Sequence, residues 1–146
     1  MAKTLKFVVI AVVVLLAGSQ FIQPDRSNPP INPAATFEAV AKPNAEFTAV
    51  AGRACYNCHS NNTVWPWYSR VAPVSWLVAD DVKEGRAHLN FSEWGLLSPE
   101  VARTRLQDVC DEVQAGEMPL WQYRLIHPEA KLSAQDVKAL CSAAGR

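Results

Sequence analysis

Cys55-Tyr56-Asn57-Cys58-His59 sets two thiols one helical turn apart, with an imidazole directly after the second. Thiols at that spacing can each add to one vinyl group of a porphyrin, and the adjacent imidazole then reaches the central iron from one face. The pattern predicts a single haem c, covalently held through Cys55 and Cys58 with His59 on the iron. Two other chemistries use the same residue types. A zinc site would take Cys55, Cys58 and His59, but it lacks a second close Cys or His pair, because Cys110 and Cys141 lie far apart. A thioredoxin-like redox pair needs strands alternating with helices, and that alternation is missing.

An iron held by His59 has one open side, and its occupant decides between electron carrier and catalyst. The candidates are Met118, His88, His127 and an open site. Apart from the initiator, Met118 is the only methionine, and it sits in Gly116-Glu117-Met118-Pro119, just past a helix end. There a loop can turn back over a porphyrin, whereas a thioether filling a core gap is the ordinary use of the residue. Met118 is therefore expected on the iron opposite His59. His88 falls in an expected solvated loop, and His127 precedes Pro128.

Trp65, Trp67, Tyr68 and Trp76 crowd the stretch after His59 and are expected to wall the cofactor from water, with Trp94 and Trp121 packing nearby. The alternative is an electron relay or a substrate platform. Tyr68, Arg70 and Arg86 are candidates for binding propionates, arginine offering the bidentate geometry that carboxylates favour. Cys110 and Cys141 either meet as a disulfide in an oxidising compartment or stay as two buried thiols.

These residues need elements to position them. Apolar spacing is helical throughout, with no sustained alternation of period two. A short helix over about Glu46–Ala54 leads into the cysteines. Val74, Leu77, Val78 and Val82 put one apolar face on a second helix ending near Gly85. Ser98-Pro99 caps a third, with a stripe of Ala102, Leu106, Val109 and Val113 that stops at Gly116, and Ser133 caps a fourth carrying Val137, Leu140 and Cys141. The expectation is an all-α fold: a small cytochrome c-like bundle of about four short helices wrapped around one haem.

Ahead of it, Lys3 and Lys6 precede an unbroken apolar run from Phe7 to Ala17. Phe21 and Ile22 bring the apolar stretch to 16 residues, just short of the roughly 17–25 that span a bilayer. Residues 1–22 thus form a signal-anchor or transmembrane helix, oriented by its lysines with the rest of the chain outside, or a signal sequence that is cut away. Residues 23–44, rich in proline, are expected to be an extended tether, and residues 45–146 the haem-binding domain. Composition fits. The 146 residues carry 14 basic and 14 acidic side chains, 49% hydrophobic and 19% charged residues, which excludes a disordered chain and gives no reason to expect nucleic-acid binding. Lys3 and Lys6 account for two of the basic residues, so the remainder has net charge −2.

The motif string is specific: Cys55 to Asn61, Trp65-Pro66-Trp67-Tyr68, Ala72 to Leu77, Glu84-Gly85-Arg86, Leu89 to Trp94, Gly116 to Pro119 and His127-Pro128. It resembles the small bacterial haem-binding domain family with a single CxxCH site, over roughly residues 50–141. The resemblance implies a monohaem c-type cytochrome behind a short membrane anchor, with Cys55, Cys58 and His59 matching the attachment residues. Cys110 and Cys141 are not part of the pattern. The expected function is single-electron transfer to periplasmic or membrane redox partner proteins, from a position on the bacterial inner membrane. A haem sensor or peroxidase-like catalyst with a labile distal ligand, drawing on Glu117 and His127, is the alternative, as is an accessory module of a larger redox complex.

Overall fold

Capping residues divide this chain into short helices. In the computed structural model, which describes residues 1–145, no strand occurs among the described residues. The long apolar run becomes α1, Ala2–Ser19, with no buried residue and no acidic residue in its first turn. Its length and composition are sufficient to cross a membrane.

The Pro-rich stretch does not run free as the expected tether. Pro33 starts a 3₁₀ turn, Pro33–Ala35, capped by the Asn32 side chain, and Thr36 caps α2, Phe37–Ala41. Proline breaks a helix interior but suits its first position, which is how Pro33 is used here. Phe37 is buried at 1% exposure, and its ring centroid lies 5.0, 5.3 and 4.7 Å from those of Phe47, Phe91 and Trp94. Part of the region assigned to the tether therefore builds the core.

Asn44 caps α3, Ala45–Ala54, accepting from the Phe47 amide at 2.8 Å. The cysteine motif forms the single turn α4, Tyr56–His59, and Trp67–Arg70 is a 3₁₀ turn. The second expected helix is longer than its pattern suggested: α5 runs Val74–His88 and absorbs His88, which is exposed and bonds the Glu84 carbonyl one turn back. Of its expected apolar face only Val82 is buried, while Val74 and Leu77 are 40% and 51% exposed.

A 3₁₀ segment, Phe91–Leu96, delivers Phe91 and Trp94 to the core. Ser98 caps α6, Pro99–Ala115, whose Val109 and Val113 are buried as expected. Gly116 ends it in the left-handed region at φ 74°, with the Gly116 amide on the Val113 carbonyl and the Glu117 amide on that of Glu112. Those two bonds satisfy carbonyls that the helix end would otherwise leave open, and glycine enters that conformation without a Cβ penalty. Then come α7, Trp121–Ile126, a 3₁₀ turn at Pro128–Ala130, and α8, Ala134–Ser142, begun by a capping box of Ser133 and Asp136. Cys110 on α6 and Cys141 on α8, both buried, are joined as a disulfide. The core is thus an aromatic cluster flanked by α3, α6 and α8.

Candidate functional site

The CxxCH turn is a continuation of α3 after a slight break. The Cys55 amide bonds the Ala51 carbonyl at 2.8 Å, and the Cys55 carbonyl accepts from the amides of Cys58 at 3.1 Å and His59 at 2.9 Å. Both thiols are free. Burial, and then the neighbouring Cys58, push the Cys55 thiol up to about 12. Burial, and then Asp81, push Cys58 up to about 11. A reactive redox pair depends on a depressed thiol pKa, so these neutral thiols are the opposite of a thioredoxin-like site. Among the described residues no three His, Cys, Asp or Glu side chains converge to hold a metal ion.

His59 is held by backbone alone. Its Nδ1 lies 2.9 Å from the Gly85 carbonyl and 3.2 Å from that of Leu89. Carbonyls only accept, so Nδ1 carries the proton and Nε2 keeps its lone pair. Burial lowers the imidazole pKa and favours that neutral form. Fixing one ring nitrogen by a backbone acceptor is how proteins aim the other at a metal.

Gly85 makes this contact possible. A Cβ at that position would lie 2.8 Å from the Cys58 carbonyl oxygen and 3.2 Å from Cys58 Cβ, so only glycine lets α5 approach the motif so closely. Helical spacing places Asp81, Val78, Leu77 and Val74 on the same side of α5 as Gly85. The uncovered apolar stripe therefore runs away from Cys58 along one helix. Two neutral thiols, an imidazole with a free Nε2 and an adjoining uncovered apolar strip fit a flat, apolar, iron-bearing ring.

The other motif residues tie the turn to the rest of the fold. The Tyr56 hydroxyl donates to the Glu38 carboxylate on α2, and its ring packs on Phe91. Asn57 donates to the Tyr123 hydroxyl at 2.9 Å, while its Oδ1 accepts from the Val64 amide. The Tyr123 ring stacks on His127 at 4.2 Å. His127 Nε2 is 2.6 Å from the Tyr68 hydroxyl, and Nδ1 is 2.8 Å from Glu129. Burial pushes the Tyr68 phenol up to about 12, which keeps it a donor. Both ring nitrogens of His127 are thus engaged. It belongs to a Tyr68–His127–Glu129 chain.

The expected aromatic wall is split. Trp65 bonds Asn28 at 3.3 Å and, with Trp76, borders a cavity of about 670 Å³ between residues 24–29 and α5, while Trp67 meets Tyr68 edge-on but is 78% exposed. Trp94 is buried in the aromatic core, and Trp121 is 67% exposed. The Arg86 guanidinium reaches the Ser60 and Ser27 carbonyls, Asn28 and Thr63, and so braces the chain. Arg70 is exposed, as is Glu117. Met118 follows the α6 cap directly, its amide on the Glu112 carbonyl at 3.3 Å, and its side chain packs against the core cluster.

Sequence reasoning named Gly85 and Asn57 within motifs without giving them these roles, and it missed Tyr123. Of these only Gly85 carried a signal, since a glycine inside a helical pattern implies a close packing partner. The family described as haem-binding domain matches residues 14–145. That span begins inside α1 and extends well beyond the residues that carry the motif string. No curated protein and no solved structure matches the chain.

Proposed function

This chain belongs to the haem-binding domain family, and from that premise we propose that it is a monohaem c-type cytochrome that passes single electrons at the periplasmic face of a bacterial inner membrane. The carrying observation is His59, whose Nδ1 is fixed by the Gly85 and Leu89 carbonyls so that Nε2 is left to ligate iron. Cys55 and Cys58 would hold the group covalently as thioethers, and His59 and Met118 are the residues that would ligate its iron. The haem, when bound, supplies reversible one-electron chemistry at iron.

The protein's own residues do the rest. The aromatic core and the α3 to α5 packing hold the imidazole at fixed orientation, which limits reorganisation between oxidation states. Ligation by Met118 together with His59 would raise the potential relative to ligation by two histidines. The buried disulfide suits an oxidising compartment. Partners are redox proteins that dock weakly and over a small area, as electron-transfer encounters do.

The second reading, a peroxidase-like or sensing haem, draws on the Tyr68–His127–Glu129 chain as an acid–base group. Optical spectra of the full-length holoprotein, oxidised and reduced, with and without carbon monoxide, separate the two. A low-spin spectrum with the weak far-red band of ferric methionine ligation, unchanged by carbon monoxide, is expected. A high-spin spectrum, or rapid carbon monoxide binding, overturns the electron-carrier reading. Loss of haem on denaturation overturns covalent attachment.

A further inference from the structure

The end of α1 is stitched to the globular domain. Residues 21 and 22 continue its helical turns, with the Phe21 amide on Gly18 and the Ile22 amide on Ser19. The Gln20 side chain pairs twice with the backbone of Ala72, its Nε2 donating to the carbonyl at 3.0 Å and its Oε1 accepting from the amide at 3.0 Å. Trp76 Nε1 donates to the Ile22 carbonyl at 2.6 Å. Further along, Arg26 donates to the Ser69 carbonyl and Asn28 to that of Thr63. Nothing in this stretch is a slack linker.

The length of α1 turns that stitching into a statement about depth. Its 18 residues rise roughly 27 Å at about 1.5 Å each, against a hydrocarbon core of about 30 Å. A helix about 3 Å shorter than the core, with Lys3 and Lys6 in its first turns, draws Gln20, Phe21 and Ile22 down to its far boundary. Whatever they bond to lies there too. Around the same point the exposed apolar side chains include Phe21, Ile22, Val71 and Trp76, at 91%, 67%, 44% and 40%. Residues 18–24 and 69–76 contain no acidic side chain and one base, Arg70, and the nearest acids, Asp25 and Asp80, line the cavity on the far side of Trp76.

We propose that this face is a membrane-docking surface: the domain lies on the outer-leaflet interface of the bilayer that α1 crosses, with Val71 and the Trp76 ring seated among lipid headgroups. Tryptophan favours that zone because its ring is apolar and its N–H polar. Here the N–H is already satisfied by Ile22. The inference rests on the reading of α1 as an uncleaved anchor, and it adds that the domain has one fixed orientation on the membrane.

The test uses the full-length holoprotein in vesicles of phosphatidylcholine and phosphatidylglycerol. With Cys55 and Cys58 bonded to haem and Cys110 joined to Cys141, an introduced cysteine is the one free thiol for a nitroxide label. Labels are placed singly by Val71→Cys, by Arg103→Cys on exposed α6 as a water-facing reference, and by Val12→Cys within α1. Collision rates with oxygen and with a water-soluble nickel chelate report depth. The oxygen-to-nickel ratio is expected to be several-fold higher at position 71 than at 103, and highest at 12. A ratio at 71 equal to that at 103, with 12 still deep in lipid, overturns docking and leaves the anchor standing. Release of the protein by alkaline carbonate, or a water-exposed label at 12, overturns the anchor reading and docking with it. Position 71 is exposed, so its substitution leaves the core intact.

Discussion

The carbonyl oxygen of Gly85 lies 2.9 Å from Nδ1 of His59, and the same residue has no room for a Cβ against Cys58. One glycine therefore both admits α5 to the CxxCH turn and fixes the tautomer of its histidine. Gly85→Ala must push the two apart. A cost of about 1–3 kcal/mol from overpacking is expected, with a changed midpoint potential because the Nδ1 bond lengthens. Thermal melts and a redox titration check both, and a variant with parental potential would refute the coupling.

Met118→Ala should leave haem covalently attached and remove one of the two residues that would ligate its iron. The far-red ferric band disappears and the ferrous form binds carbon monoxide. A parental spectrum in this variant would remove Met118 from the iron.

The Cys110–Cys141 link closes a separation of 31 residues. Replacing both with Ser should lower stability by about 3–4 kcal/mol on the chain-entropy account, and more where the hydroxyls stay buried without partners. Urea denaturation of the double variant measures it, with the haem spectrum expected to persist at low denaturant.

Tyr68→Phe leaves His127 Nε2 without its donor while Glu129 still holds Nδ1. A loss of about 1–2 kcal/mol is expected, read by the same denaturation. Unchanged stability would mean that the hydroxyl does not pair with the imidazole in solution.

Asp136 binds Arg53 at 2.6 Å and accepts from the Ser133 amide and hydroxyl, and these partners pull its carboxyl down to about 2. The folded pKa lies below the unfolded one, so the stabilisation is complete above about pH 4 and is lost as pH falls toward 2. The pair is partly solvated, so its contribution is about 1 kcal/mol. Asp136→Asn should lower stability at pH 6 by that amount and flatten the acid limb between those values, as followed by thermal melts across pH.

Local chemistry was legible in the sequence. Ser98-Pro99 and Gly116 marked both ends of α6, Ser133 marked the start of α8, and the Cys55–His59 spacing marked the attachment turn, because caps and one-turn motifs depend on residues within a few positions of one another. The apolar run of α1 was equally plain. Proline, however, reads locally as a breaker, and only packing shows that Phe37 finds Phe47, Phe91 and Trp94, turning an expected tether into core. Likewise the sequence offered His127 as a candidate iron ligand and Arg86 as a candidate partner for a propionate. The tertiary structure engaged them with Tyr68 and Glu129, and with Ser60, Asn28 and Thr63, partners up to 59 residues away. A side chain's chemistry follows from its type, but whether it is free to use that chemistry depends on which distant groups satisfy it first, and chain folding alone decides that.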